Sequence, residues 1–175
     1  MKKNLFLIAV LFSTAAFSQI RYSGKIEAEY NFNLSRTVTV DPGPNWQGYN
    51  LDNRQSGLGA NFINGVFFNQ KFFAGLGVGY NHFSRRNAAQ NNVSGILVLA
   101  NGEYVDLSKP RSVLFYANAG VSHIWNQYDN GSTTEFIEGG VGYNFPFLSN
   151  HLYIKTGFAS MQQSVFYKLG AGFRF

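Results

Sequence analysis

The sequence predicts an all-β fold, an eight-stranded antiparallel up-and-down transmembrane β-barrel, and three observations lead to it. Eight segments alternate between apolar and polar residues, as strands do when their two faces meet different surroundings. Each segment is close to the roughly ten residues that a tilted strand needs to cross a bilayer. Most of the 19 glycines lie inside these segments, which suits the crowded interior of a narrow barrel.

Residues 1–18 predict a cleaved secretory signal peptide. Lys2 and Lys3 form its basic end, residues 5–12 its apolar core, and residues 16–18 a small-x-small cleavage site. The apolar core is too short to span a bilayer as a helix, which needs about 20 residues. We expect cleavage after Ser18, which leaves residues 19–175 as a single barrel domain.

Composition excludes several classes of protein. The absence of cysteine excludes disulfides, thiolate metal sites and a cysteine nucleophile. Removing Lys2 and Lys3 from the 14 basic residues leaves 12 against 9 acidic ones. These basic residues are dispersed along the chain, so we expect no nucleic-acid partner. The three histidines do not have metal-ligand spacing, so we expect no metal site and no cofactor.

The first four predicted strands cover residues 20–32, 56–68, 72–82 and 93–105. The outward residues of the first three are predicted to be Tyr22, Ile26, Ala28, Tyr30 and Phe32, then Leu58, Ala60, Phe62, Val66 and Phe68, then Phe72, Ala74, Leu76, Val78 and Tyr80. In the fourth, residues 96–99 are apolar on both faces, so alternation alone does not fix the register. Placing Glu103 inward puts Ile96, Val98 and Tyr104 outward.

The last four predicted strands cover residues 112–125, 135–145, 151–159 and 165–175. Their outward residues are predicted to be Val113, Phe115, Ala117, Val121 and Trp125, then Ile137, Val141, Tyr143 and Phe145, then Leu152, Ile154 and Phe158, and finally Leu169, Ala171, Phe173 and Phe175. The opposite faces carry glycine, asparagine and charged residues, which indicates an interior lined by small and polar groups.

The connectors between these strands predict the orientation of the barrel. Residues 69–71, 107–111 and 146–150 are short turns, whereas residues 33–55, 83–92, 126–134 and 160–164 are longer on average. Outer-membrane barrels have short turns on the periplasmic side and long loops on the outside. We therefore expect both chain termini in the periplasm.

The last eight residues contain a second kind of signal. Lys168, Gly170, Phe173 and Phe175 follow the order polar–x–Gly–x–x–aromatic–x–aromatic. This order resembles the sorting signal of bacterial outer-membrane barrels, which the barrel-insertion machinery recognises. With the strand pattern, the chain resembles the small OmpA/OmpX-like barrels of Gram-negative bacteria. The resemblance implies an outer-membrane location in contact with outer-membrane lipid and lipopolysaccharide, and says little about activity.

A secreted β-sandwich or a lipocalin-like cup is the soluble alternative. In those folds the apolar face points inward and the outer face carries frequent charge. Here the few charges share a face with the glycines, and the side chains on that face are too small to form the core of a soluble protein. The pattern favours the membrane barrel.

The inward faces are predicted to carry a set of charged residues. These are Arg21, Lys25, Lys155, Lys168 and Arg174 with Glu27, Glu29, Glu103 and Glu138. An isolated buried charge costs several kcal/mol, so ionic groups inside a narrow barrel must be paired. We interpret the set as an ion-pair network that closes the lumen. The alternative, a narrow path for ions or small solutes, is disfavoured because eight-stranded barrels are filled by side chains.

One group of residues has the composition of a hydrolase site. His82 and Ser84 lie at the outer end of the third strand, and Glu135 is predicted near the same rim. A serine activated by a histidine that a carboxylate orients is what acyl-ester hydrolysis needs. The alternative is that these are interfacial polar residues at the headgroup boundary. His151 is interpreted as a turn residue.

Two loops are predicted to carry any binding function. The first, about residues 33–55, contains Trp46 and Tyr49, and long loops on rigid scaffolds often bind partners. It would contact a protein partner or fold back over the barrel mouth. Arg85 and Arg86 open the second loop, where they would bind lipopolysaccharide phosphates or remain a solvated pair.

Overall fold

The computed structural model describes residues 20–36, 55–84, 92–125, 132–162 and 164–175. These residues form eight antiparallel strands in which each strand pairs with its sequence neighbours and the first pairs with the last. The strands are β1 (Ile20–Arg36), β2 (Gly57–Phe68), β3 (Phe72–Phe83), β4 (Val93–Val105), β5 (Ser112–Trp125), β6 (Ser132–Phe147), β7 (Asn150–Met161) and β8 (Ser164–Arg174). The predicted closed eight-stranded barrel is confirmed.

The strand bounds agree with the alternation in the sequence, with differences at the ends. β4 and β5 have the predicted bounds, whereas β1 and β6 extend beyond them. In β1 the extension to Arg36 contains a register shift between Asn33 and Ser35 against β8. A bulge inserts one extra residue and breaks the period of two, so alternation ends there before the strand does.

The turn between β2 and β3 is tight and defines one end of the barrel, called here the short-turn end. Asn69 and Gln70 both have positive φ, 54° and 55°, and the Lys71 backbone N–H donates to the Phe68 carbonyl at 3.1 Å. Two central residues with positive φ match the twist of paired strands. The opposite end is called the long-loop end. There β7 and β8 are joined by residues 162–163 alone, so one connector on that side is shorter than the sequence predicts.

The register of β4 follows the placement of Glu103. Leu97 and Leu99 are each 1% exposed and point inward, whereas Ile96 and Val98 are 44% and 53% exposed. Glu103 is buried, as the prediction requires. Four apolar residues in a row satisfy both faces, which is why this strand needed its charged residue to set the register.

The interior has apolar layers that the sequence analysis did not predict. At the short-turn end a layer of buried side chains consists of Phe67, Phe73, Val105 and Leu114, and at the long-loop end a second layer consists of Phe83, Val93, Ile124, Phe136 and Phe166. We call them the short-turn layer and the long-loop layer. The ring centroids of Phe67 and Phe73 lie 5.2 Å apart, and those of Phe83 and Phe166 5.6 Å apart. The polar middle of the barrel is therefore covered at both ends.

In the described part of the chain, no helix is long and apolar enough to cross a membrane.

The predicted signal peptide and the loop residues Trp46, Tyr49, Arg85 and Arg86 lie outside the described residues.

Candidate functional site

A charged layer occupies the barrel interior between the two apolar layers. Among the described residues it consists of four buried cations and four buried carboxylates: Lys25, Lys155, Lys168, Arg174, Glu27, Glu29, Glu103 and Glu138. None of the eight is more than 6% exposed. Equal numbers of the two signs make the layer formally neutral, which a low-dielectric interior requires.

Lys155 lies at the centre of one half of the charged layer. Its Nζ is 2.6 Å from Glu27 Oε2, 3.5 Å from Glu138 Oε1 and 3.6 Å from Glu29 Oε1. Lys168 Nζ contacts Glu138 Oε2 at 2.8 Å and also pairs with Glu29. Two lysines from β7 and β8 thus neutralise carboxylates from β1 and β6.

Glu103 organises the other half of the charged layer. Its Oε1 pairs with Lys25 and its Oε2 with Arg174. Lys25 Nζ also lies 3.2 Å from Glu27 Oε1, which connects the two halves. Five strands contribute to this single network, because barrel closure brings β1 beside β8 and the inward side chains of β4 and β6 meet them across the lumen.

Neutral groups complete the hydrogen bonding of the carboxylates. The Tyr153 hydroxyl donates to Glu27 Oε1 at 2.6 Å. Asn61 Nδ2 donates to Glu27 Oε2 at 3.2 Å and also to Glu29. Asn118 Nδ2 donates to Glu138 Oε2 at 3.2 Å. Such bonds offset the desolvation of buried ions, which Coulomb attraction alone often fails to do.

The cations also contact aromatic rings of the apolar layers. Lys25 Nζ lies 5.2 Å from the Phe73 ring centroid, and the Arg174 guanidinium 5.1 Å from that of Phe67. Lys168 Nζ lies 5.4 Å from the Phe136 ring centroid. A cation within about 6 Å of a ring is attracted to it. The short-turn and long-loop layers are therefore joined to the charged layer and not merely stacked beside it.

One residue that was predicted to belong to the interior network, Arg21, lies outside it. Its side chain is exposed and lies beyond the buried charged layer, opposite Phe67 at the beginning of β1. Alternation assigns a residue to a face but does not give its depth along the barrel axis. Arg21 has the inward parity of Lys25, yet it lies at the barrel mouth.

The predicted catalytic trio is not assembled. His82 Nδ1 lies 2.9 Å from Ser94 Oγ, on β4, whereas Ser84 follows the end of β3 with its side chain exposed. Glu135 is on β6, three strands away from His82, a lateral separation of roughly 14 Å at normal strand spacing. The described contacts therefore give no support to the hydrolase interpretation based on His82, Ser84 and Glu135.

His82 instead belongs to an outward-facing cluster that the sequence analysis missed. The Tyr80 hydroxyl donates to Ser94 Oγ at 2.9 Å, beside the contact with His82. A second pair follows two strands along, where His123 Nδ1 lies 2.8 Å from Thr133 Oγ1. We call these five residues the long-loop rim. The pairing of β3 with β4 is what joins positions 82 and 94, and alternation within one strand carries no such information.

Trp125 lies next to this rim on the same outward face. Its ring meets the His123 ring edge-on, with centroids 5.2 Å apart, and its backbone is opposite Ser94. Trp and Tyr on an outward barrel face are typical of the girdle at a membrane interface.

His151, the remaining histidine, lies in a strand and contacts a neutral side chain. His151 is the second residue of β7, not part of a turn, and its Nδ1 lies 3.0 Å from Asn144 Nδ2. Within the described ranges, no group of three or more His, Cys, Asp or Glu side chains is placed to hold a metal ion.

The residues of the predicted sorting signal divide between the two faces of β8 and of Phe175, which follows it. Lys168 is in the charged layer and Gly170 lies next to β1. Phe173 and Phe175 are on the outward face with ring centroids 6.2 Å apart.

A closed barrel with apolar side chains outside and a neutral charged layer inside has the architecture of a small transmembrane β-barrel. The crystal structure of Neisserial surface protein A (NspA) is similar, with a TM-score of 0.63 at 13% identity over 89% of this chain and 97% of that one. This likeness shows the fold: the chain has the fold of the small eight-stranded outer-membrane β-barrels.

Two further solved structures are more distant in shape. The N-terminal β-barrel domain of Pseudomonas aeruginosa OprF has a TM-score of 0.47 at 18% identity, over 90% of this chain and 100% of that one. Yersinia pestis Ail, in complex with the heparin analogue sucrose octasulfate, has 0.43 at 18%, over 89% and 99%. No sequence-family model and no curated protein matches the chain.

Proposed function

We propose that the protein is an outer-membrane barrel that does not conduct solutes and that serves as a rigid scaffold for its long loops. The fold shared with NspA and the predicted signal peptide support the location. In this orientation the short-turn end faces the periplasm, as do both termini, and the long-loop end faces outward.

The observation that carries the proposal is the stacking of three interior layers. The charged layer is neutral and buried, and aromatic rings of the short-turn and long-loop layers contact its cations. A solute path would have to open both apolar layers and separate paired buried ions. Each of these steps is costly in a narrow barrel.

The scaffold would present its loops to partners outside the cell. Trp46 and Tyr49 in the first loop, and Arg85 and Arg86 in the second, supply aromatic and phosphate-binding groups. We expect contacts with lipopolysaccharide and with a protein partner through these loops. During biogenesis, the barrel-insertion machinery would recognise the terminal signal that ends at Phe175.

Conductance in planar lipid bilayers tests this function. The folded wild type, identified by its heat-dependent gel mobility, should give no steady ohmic current. A variant that lacks residues 37–54 should also remain closed, because the interior layers and not the first loop close the barrel. Steady current through the wild type would overturn the proposal. Current through the deletion variant alone would show that the first loop is the plug.

A further inference from the structure

The short-turn end of the barrel carries a basic surface beside a pocket at the mouth of the lumen. We propose that this end binds a carboxylate-rich segment of a periplasmic protein, and that one carboxylate of that segment enters the pocket beside Arg21. The inference concerns the end opposite the long loops, and so goes beyond the scaffold function. It depends on the proposed function only for the orientation, which places this end in the periplasm.

Exposed cationic side chains outnumber acidic ones at the short-turn end. Within the described residues, the exposed cations of this end are Arg21, Lys71, Lys109 and Arg111. We call these four residues the basic platform. The acidic side chain of this end is Asp106, which already accepts from the Ser108 hydroxyl and lies 3.8 Å from Lys109 Nζ. Because complementary charge steers association and selects partners, the surplus of positive charge fits an acidic ligand.

Backbone hydrogen bonds hold the connectors that carry Lys71 and Lys109. The Val105 N–H donates to the Lys71 carbonyl at 2.8 Å, and the Leu107 N–H donates to the Gln70 carbonyl at 3.0 Å. The Leu107 side chain packs against the apolar core of the barrel. The connectors after β2 and β4 are therefore joined to each other and to the barrel. A surface that is ordered before binding loses less conformational entropy when a ligand arrives.

The pocket lies on the lumen side of the sheet. Its walls include Arg21 and Ser23 from β1, His151 from β7 and Arg174 from β8. Barrel closure brings these strands together, because β1 pairs with β8 and His151 is opposite Arg174. Arg21, Ser23 and His151 are each an even number of residues from a buried lysine on their own strand, so they share its inward face. The pocket therefore faces the barrel axis and not the surrounding lipid.

The polar groups of the pocket can still donate hydrogen bonds to a ligand. Arg174 is 2% exposed and its Nη2 pairs with Glu103, whereas its Nε and Nη1 have no acceptor among the described residues. His151 Nδ1 accepts from Asn144 Nδ2 at 3.0 Å, so the neutral imidazole carries its proton on Nε2. Arg21 adds a second guanidinium, which is exposed. Guanidinium groups match the geometry of a carboxylate, so a carboxylate is the ligand group that suits this pocket.

The position of these groups favours a soluble ligand over a lipid headgroup. The outward face at this end carries exposed aromatic side chains such as Tyr22 and Phe72, as expected for the girdle at a membrane interface. The pocket, in contrast, opens on the lumen side and is small. One carboxylate group would occupy it, and the rest of an acidic segment would lie across the basic platform. The competing explanations are a headgroup site and a basic surface that is only solvated.

Peptide binding to the full-length folded protein in an uncharged detergent tests the inference. The probes are a fluorescently labelled hexaglutamate peptide with blocked ends and the matching hexaglutamine peptide, followed by fluorescence anisotropy at about pH 7.5, where the glutamates are ionised. The wild type should bind the glutamate peptide and not the glutamine peptide. Its affinity should fall about ten-fold between about 50 mM and about 500 mM salt, because salt screens exposed charges.

Two arginines of β1 provide a matched pair of variants. Arg21→Gln removes the guanidinium at the pocket and should weaken binding about five-fold, the upper range for an exposed ion pair. Arg36→Gln makes the same change of charge at the opposite end of β1 and should leave binding unchanged. Arg21→Lys keeps the charge but not the planar fork, and should weaken binding by less than Arg21→Gln. Heat-dependent gel mobility shows that each variant is folded.

Three results would overturn the inference. The first is equal affinity for the two peptides, and the second is an equal loss in Arg21→Gln and Arg36→Gln. The third comes from repeating the titration in nanodiscs of phosphatidylcholine with and without phosphatidylglycerol. Binding of the glutamate peptide should persist in both lipids. Binding that disappears when phosphatidylglycerol is present would assign the surface to lipid headgroups instead.

The location of the site and the closure of the barrel are tested by other measurements. Because the chain contains no cysteine, Lys109→Cys introduces a single labelling position on the basic platform. A maleimide attached to a polymer too large to cross the outer membrane should label it in permeabilised cells and not in intact ones. Labelling in intact cells would overturn the periplasmic partner. A wild type that conducts ions but keeps Arg21-dependent peptide binding would refute closure and leave the carboxylate site standing.

Discussion

The charged layer and the long-loop rim are polar clusters on the same strands, and they differ in how many strands build them. Five strands supply the charged layer, and its ions meet across the lumen. Each pair of the rim is built from two adjacent strands on the outward face. Closure of the sheet therefore creates a many-membered network inside, whereas each hydrogen bond of the rim joins two neighbouring strands.

Because of this difference, the loss of one polar side chain should cost more stability in the interior than in the rim. Removal of one buried ion leaves its partners unpaired in a low dielectric, which costs several kcal/mol. Removal of one half-exposed hydrogen-bonding group leaves partners that lipid headgroups or water can satisfy. We expect substitutions in the interior to change stability more than substitutions in the rim.

Lys155→Met should have the largest effect on stability. The variant leaves Glu27, Glu29 and Glu138 with one cation fewer, and breaking a buried pair typically costs about 3–5 kcal/mol. Urea unfolding in phospholipid bilayers, followed by tryptophan fluorescence, measures the loss. The control Lys109→Met removes an exposed lysine 3.8 Å from Asp106, and should cost less than about 1 kcal/mol. Equal losses in both variants would contradict the contrast between buried and exposed charge.

Gly172→Ala should have an intermediate effect. A Cβ at Gly172 would collide with ring carbons of Tyr153, whose hydroxyl donates to Glu27. Overpacking of this kind costs about 1–3 kcal/mol. The matched control is Gly102→Ala, since Gly102 faces outward and a Cβ there meets nothing within 4 Å. The control should stay within about 0.5 kcal/mol of the wild type by the same urea assay, and a larger loss at position 102 than at 172 would refute the steric argument.

Asp106→Asn should have the smallest effect, in the connector after β4. The Ser108 hydroxyl donates to Asp106 and is the largest cause that lowers the pKa of this carboxyl below its usual value. A lowered pKa means that the ionised group contributes stability at neutral pH, and that the contribution disappears as the pH falls through the folded-state pKa. The variant should have a slightly lower urea midpoint than the wild type at about pH 7, and this difference should shrink as the pH falls below the usual Asp pKa of about 4. A difference that grows on acidification would contradict this sign.

Much of the fold could be predicted because alternation is a local property. Each of the eight strands was identifiable from its own residues, and β4 and β5 have the predicted bounds. The inward charges other than Arg21 also lie where the alternation places them. Because the two faces of a strand have different surroundings, hydrophobicity alternates with a period of two residues. This alternation can be detected in each segment without information from the others.

The contacts of the rim could not be predicted from the pattern within one strand. In the sequence, Ser84 was the candidate partner of His82 because the two positions are near each other in the chain. The structure offers Ser94 instead, since β3 and β4 pair with His82 opposite Ser94. The register of a hairpin depends on its connector and on both strands together.

The sequence by itself determined the eight strands, their outward faces and the inward position of most charges. Only the tertiary structure decided which of those charges meet, as in Glu103 with Arg174, which are 71 residues apart, and Lys155 with Glu27, which are 128 apart. It also decided depth, which placed Arg21 at the mouth and phenylalanines in two layers across the lumen. The physical reason is that alternation fixes a side chain relative to its own strand, whereas depth and partners depend on how the closed sheet aligns all strands.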